Sequence, residues 1–115
     1  MFGVWDFIRG QPDDAFATAI FERGAATVEA LLPLYDTGWW SLYDLYHLEA
    51  PSPRNPCTAH YHDIHVKQLA VLHAITGRAQ FGAFARSWAS YQDGSSGRLR
   101  AYAEKAAFIA RQKLA

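Results

Sequence analysis

Hydrophobic residues recur at helical spacing along most of this chain, and the one long exception, residues 34–57, narrows its fold most. There Asp36-Thr37-Gly38 is a turn signal, and Trp39-Trp40-Ser41-Leu42-Tyr43 is a short, aromatic, strand-like run. Pro51, Pro53 and Pro56 give the rest of the stretch an extended character. A long aromatic connection inside a helical domain is more often functional than a short one. The expected fold is mainly α, with helical hairpins joined by one elaborate loop.

The flanking segments set the expected helices. Residues 1–8 are apolar, begin without a cap and read as the tail of a helix that Gly10 stops. Pro12-Asp13-Asp14 starts the next, with Phe16, Ile20, Phe21, Val28, Leu31 and Leu32 as its apolar positions up to Pro33. Gly24 inside that pattern predicts close helix packing. Asn55-Pro56 reads as the N-cap and first turn of a third helix, whose face is Tyr61, Ile64, His65, Leu69, Leu72 and Ile75 and whose end is Gly77. A fourth carries Phe81, Phe84, Ala85 and Trp88 and ends at Gly94. The last, at about 96–113, is expected to turn Leu99, Tyr102, Ala106 and Ile109 inward.

A chain of 115 residues has room for one small domain, read as residues 1–115. Four Trp, six Tyr and seven Phe mark a packed unit and exclude a disordered tail. Lys plus Arg equals Asp plus Glu at 11 each, so no basic footprint for nucleic acid or an acidic membrane is expected. The single cysteine, Cys57, excludes an intrachain disulfide. No apolar run approaches the ~20 residues of a membrane span, and residues 1–8 lack a signal-peptide pattern. The chain reads as soluble, and as cytoplasmic if Met1 is the natural start.

Two places bring polar groups onto apolar ground: Tyr43-Asp44-Leu45-Tyr46-His47, and His60-Tyr61-His62-Asp63-Ile64-His65. His62 and His65 share a helix face and invite a metal, but no recognised ligand spacing completes the site, and no metal is expected. Cys57 beside His60 lacks any sign of activation, and a small buried hydrophobe is its expected role. Proton transfer by Tyr43 and Tyr61 is the third reading. A phenol, with a reference pKa of about 10, acts as a base only where a neighbour stabilises the phenolate. His65 lies one helical turn from Tyr61 and is a candidate for that. On spacing alone, both tyrosines read more readily as amphipathic residues at the edge of a core.

The order Leu31-Leu32-Pro33-Leu34-Tyr35-Asp36-Thr37-Gly38, then Tyr43-Asp44-Leu45, Tyr61-His62, His65 and Gln68-Leu69 resembles the D-glucuronyl C5-epimerases. The similarity extends to Gly3-Val4-Trp5-Asp6, Glu22-Arg23-Gly24, Phe84, Trp88 and Tyr91. The resemblance implies part of an α/α toroid and conversion of glucuronic to iduronic acid units in heparosan-type polysaccharide, without a cofactor. It maps the family's catalytic tyrosines onto Tyr43 and Tyr61, with the family's separation. His62 and His65 become candidate supports, and Arg54 or His47 candidate partners of the uronate carboxylate. Animal members carry Arg-His after Tyr-Asp-Leu, where this chain has Tyr46-His47. The family also places a catalytic Glu-Tyr pair before the point matching Met1, so the expectation is a truncated catalytic set, whose exposed apolar surface is covered by self-association or by an upstream half. The competing readings are a polysaccharide lyase-like toroid, which would leave an unsaturated uronate, and a non-catalytic helical module binding glycan or protein.

Overall fold

The computed structural model describes residues 1–114. Its helices are α1 (Phe2–Gly10), α2 (Ala15–Tyr35), α3 (Ala59–Thr76), α4 (Ala79–Ser90) and α5 (Ser95–Leu114), with a 3-10 turn at Tyr46–Leu48. The mainly helical class is as expected. Among the described residues there is no strand: the aromatic run makes only isolated bridges, Asp36 to Ser41 and Leu42 to Pro56. No described helix is long and apolar enough to cross a membrane. The chain divides into two compact units, Met1–Leu32 and Pro33–Ala115.

In the first unit, Asp14 Oδ1 accepts the Ala17 N–H at 2.8 Å and so caps the start of α2. The Trp5 ring of α1 stands 5.3 Å from that of Phe21. Ala17, Phe21 and Ala25 are buried, whereas Phe16 and Ile20 are exposed. Gly24 does not mark close packing, since nothing lies within 4 Å of a Cβ built there. Nor does Pro33 stop α2, which runs on to Tyr35. Two residues from the end, a proline removes a hydrogen bond without ending the helix.

In the second unit α3 packs along α4 and, over a smaller area, on α5. α3 begins three residues later than Asn55-Pro56 suggests: Thr58 is the N-cap, its hydroxyl accepting the Tyr61 N–H. Asn55 is engaged elsewhere, as described below. Gly77, at φ 67°, ends the helix in the left-handed conformation that glycine tolerates best. Leu69, Leu72, Phe81, Ala85 and Trp88 are buried between these elements.

α5 is rotated from its expected setting. Its buried positions are Ala101 and Phe108, while Leu99, Tyr102 and Ile109 are exposed. The reason is steric. A Cβ at Gly97 would lie 2.8 Å from the Tyr91 carbonyl oxygen and 3.6 Å from that of Trp39, so the first turn seats through its smallest residue. Ala101 follows one turn later, packed with Trp40 and Cys57. Side-chain size at closest approach, and not the count of large apolar residues, fixes this face.

Candidate active site

The loop is built from its turn. Thr37 N–H and Oγ1–H both donate to the Trp40 carbonyl, at 3.0 and 2.7 Å, and Thr37 Oγ1 accepts the Trp40 N–H at 2.9 Å. Asp36 Oδ1 accepts the N–H of Gly38, whose φ is 81°, and the Tyr91 hydroxyl donates to the same oxygen at 3.1 Å. The turn carries Trp40 into the interior, where it is fully buried and its Nε1–H donates to the Cys57 carbonyl at 2.9 Å.

Ser41 is the hub that follows. It is fully buried, and its N–H reaches His62 Nδ1 at 3.1 Å. Its hydroxyl lies 2.8 Å from His62 Nδ1 and 3.1 Å from His65 Nδ1. His62 Nε2 is 2.8 Å from the Trp88 carbonyl. A carbonyl only accepts and a backbone N–H only donates, so His62 is neutral with its proton on Nε2. The order that satisfies every partner runs from His65 Nδ1–H to Ser41 Oγ, and from Ser41 Oγ–H to His62 Nδ1. Trp40 stacks on the His62 ring at 3.9 Å between centroids. Burial holds the pKa of His62 below the ordinary histidine value, against the opposing Trp88 carbonyl, Asp63 and Asp36. Burial, then His62, does the same to His65. Cys57 is fully buried, and its thiol is pushed up to about 11, chiefly by desolvation. It packs as a small hydrophobe, as expected.

On this scaffold stand the two tyrosines. Leu42 N–H donates to the Tyr35 carbonyl and Cys57 N–H to the Ser41 carbonyl, pinning the loop on both sides. Tyr43 N–H donates to the Asn55 carbonyl at 2.8 Å. The rings of Tyr43 and Tyr61 meet edge to face, 5.2 Å between centroids with planes 84° apart. Both are solvent-exposed, at 48% and 44%. Two aromatic residues in the open, one from the loop and one from the first turn of α3, thus share one place on the surface.

The other expected residues fall into two groups. His62 and His65 converge on Ser41, and His65 touches Ser41, Cys57 and Trp88. Both ring nitrogens of His62 are occupied inside the protein, so its role is to hold the loop against α3 and α4. His47 lies on the 3-10 turn with its Nδ1 buried and unpartnered, and Arg54 is exposed. Neither is in ring or hydrogen-bond contact with either tyrosine. Asp63 pairs with Lys67 at the surface, at 2.7 Å. Among the described residues, no three His, Cys, Asp or Glu side chains could hold a metal ion.

Sequence reasoning passed over three residues that the structure makes central. Ser41 stands inside the aromatic run with nothing in the sequence to single it out. Asn55, read as a cap, is buried, and its amide donates to Asp44 Oδ2 at 2.5 Å. Lys105 of α5 donates to Asn55 Oδ1 at 2.6 Å, and its Nζ stands 5.1 Å from the centroid of Tyr43. The available signal was the four-residue spacing Gly97, Ala101, Lys105, which defines the seated face of α5.

The model of the D-glucuronyl C5-epimerase C-terminus family matches residues 1–90. A D-glucuronyl C5-epimerase of Caenorhabditis elegans is 32% identical over 78 residues, which cover 68% of this chain and 13% of the worm protein. An uncharacterized protein of Methanocaldococcus jannaschii is 28% identical over 75 residues, 65% of this chain and 22% of that protein. The chain therefore spans less than a quarter of either relative. No solved structure matches it.

Proposed function

This chain belongs to the D-glucuronyl C5-epimerase C-terminus family, and on that premise we propose that it carries the proton-transfer tyrosines of a uronic-acid C5-epimerase acting on a heparosan-like polysaccharide. The observation that supports this most is the meeting of Tyr43 and Tyr61, 18 positions apart in sequence, with their rings 5.2 Å apart on an exposed surface. The helices belong, in this reading, to an α/α toroid whose cleft the tyrosines line.

The chemistry asks for two groups of this kind. C5 of a uronate bears a proton acidified by the neighbouring carboxylate. One tyrosine, as phenolate, removes it, and the electron pair left on C5 delocalises into the carboxylate. The other tyrosine, as phenol, returns a proton to the opposite face, inverting the centre. The proton count balances, with one phenol and one phenolate before and after, and no redox step or cofactor is needed. Loop and helix each supply one tyrosine, so the two phenols of the reaction come from separate elements. The Ser41, His62 and His65 network supports the pair by fixing the part of the loop before Tyr43 against α3.

The test is deuterium incorporation at C5 of heparosan in heavy water, followed by NMR with the purified chain. Incorporation is expected, with a drop of at least about 100-fold in Tyr43→Phe and in Tyr61→Phe. An unsaturated uronate product, seen by its absorbance, would replace the epimerase with a lyase. Equal incorporation by both Phe variants would remove the tyrosines from the reaction.

A further inference from the structure

We infer that Lys105 is the group that recognises the uronate carboxylate presented to Tyr43 and Tyr61, an inference that rests on the reading of those tyrosines as the proton-transfer pair. Its ammonium is partly buried and surrounded by neutral partners. It donates to Asn55 Oδ1 at 2.6 Å and lies over the faces of Tyr43, at 5.1 Å, and Phe108, at 5.5 Å. Among the described residues it forms no ion pair. The nearest compensation comes indirectly, from Asp44 through the Asn55 amide. A partly desolvated cation whose only acceptors are neutral draws an anion strongly, and two of its three N–H groups remain for one.

The position of the charge fits the chemistry. Abstraction at C5 pushes negative charge onto the carboxylate oxygens, and a cation held in advance beside the abstracting groups stabilises that state. The Asp44, Asn55 and Lys105 chain achieves the holding. Asn55 receives Tyr43's N–H on its carbonyl and ties Asp44, the residue after Tyr43, to Lys105 through its amide. The cation and the tyrosine are thus fixed to one buried residue, the tyrosine through its backbone carbonyl and the cation through its side chain. The other α5 cation in this area is already committed: Arg100 lies over Trp39 at 4.1 Å and pairs with Glu104 at 2.8 Å. Arg54 and His47, the partners suggested by sequence, make no ring or hydrogen-bond contact with either tyrosine. Lys105 also stands beyond residue 90, where the family match ends, so family likeness does not assign it.

The test crosses the residue with the carboxylate. Binding of heparosan oligosaccharide, and of the same oligosaccharide with its carboxyls reduced to alcohols, is measured by NMR titration on the unmodified chain, Lys105→Gln and Lys105→Arg. The unmodified chain should prefer heparosan by about tenfold or more. Lys105→Gln, which keeps a donor for Asn55, should lose that preference by weakening heparosan alone, and Lys105→Arg should restore it. Equal weakening of both ligands in Lys105→Gln would make Lys105 a packing residue and overturn the inference. So would an unchanged preference, or an unmodified chain that binds neither ligand or does not discriminate between them. Should Lys105→Gln fail to fold, the unmodified chain and Lys105→Arg still decide, since both must discriminate. Deuterium exchange reads the epimerase proposal separately: exchange with no carboxylate preference sinks Lys105 alone, and preference without exchange sinks the epimerase alone.

Discussion

His62 is the residue on which the loop's position depends, and its state is set by burial. A fully buried imidazole whose Nε2–H serves a carbonyl and whose Nδ1 accepts an N–H has no room for a second proton. Its folded pKa is depressed, as is that of His65. The sign follows: the unfolded chain takes up protons near the ordinary value of about 6.5, the folded chain only at lower pH. Stability is therefore intact above that value and falls as the pH drops through it. Urea midpoints should be level between pH 7 and 8 and decline toward pH 5. His62→Asn, which keeps polarity without the titration, should flatten that decline while lowering the midpoint at pH 7 by about 1–3 kcal/mol equivalent, because it leaves Ser41 or Trp88 without its partner. A decline unaltered by this substitution would move the pH dependence to other groups. The sequence marked His62 as unusual from its neighbours, but not its role. Two histidines and a serine 21 positions upstream meet only when the loop folds, and local spacing carries no trace of that.

At the scale of elements, α2 and α5 each hold a glycine, and the two should respond oppositely to alanine. Gly24 has open space around a built Cβ, so Gly24→Ala should stabilise by about 0.5–1 kcal/mol through helix propensity. Gly97→Ala gains the same propensity but puts a methyl 2.8 Å from the Tyr91 carbonyl oxygen, a backbone atom that cannot swing aside. A net loss of about 1–3 kcal/mol is expected. Thermal melts of the two variants check the pair, and a stabilised Gly97→Ala would mean that α5 can shift outward at little cost. Helix existence was legible because periodicity and terminal signals are local: Gly77 stops α3 as read, and α5 begins and ends within a residue of its expected limits. Helix rotation was not. Helical spacing alone turns Leu99, Tyr102 and Ile109 inward, whereas the seat of α5 is chosen by how near its backbone can come to residues 39 and 91. The same limit hid Lys105, which lies on the small-residue face.

At the scale of the whole molecule, the family match and the packing disagree about where the folded unit stops. The match ends at residue 90, before α5. Packing extends past it: Ala101 closes the buried cluster of Trp40 and Cys57, Phe108 is buried, and Lys105 holds Asn55 behind Tyr43. That Tyr43 and Tyr61 lie close together was legible from sequence, since the loop must fold back against α3. The support of Tyr43 by α5 was not, because it joins residues 50 positions apart. If packing is the better guide, a chain ending at residue 94 should fail. Losing Phe108 alone removes about 1.5–3 kcal/mol of apolar burial, a large part of the roughly 5–15 kcal/mol by which a domain is stable. Removing α5 also opens Trp40 and Cys57 to water. Such a chain should lose its cooperative thermal transition and the near-ultraviolet circular dichroism that a rigid, buried Trp40 gives. Retention of both signals would mean that residues 1–94 hold the loop unaided and that α5 is an accessory to the site.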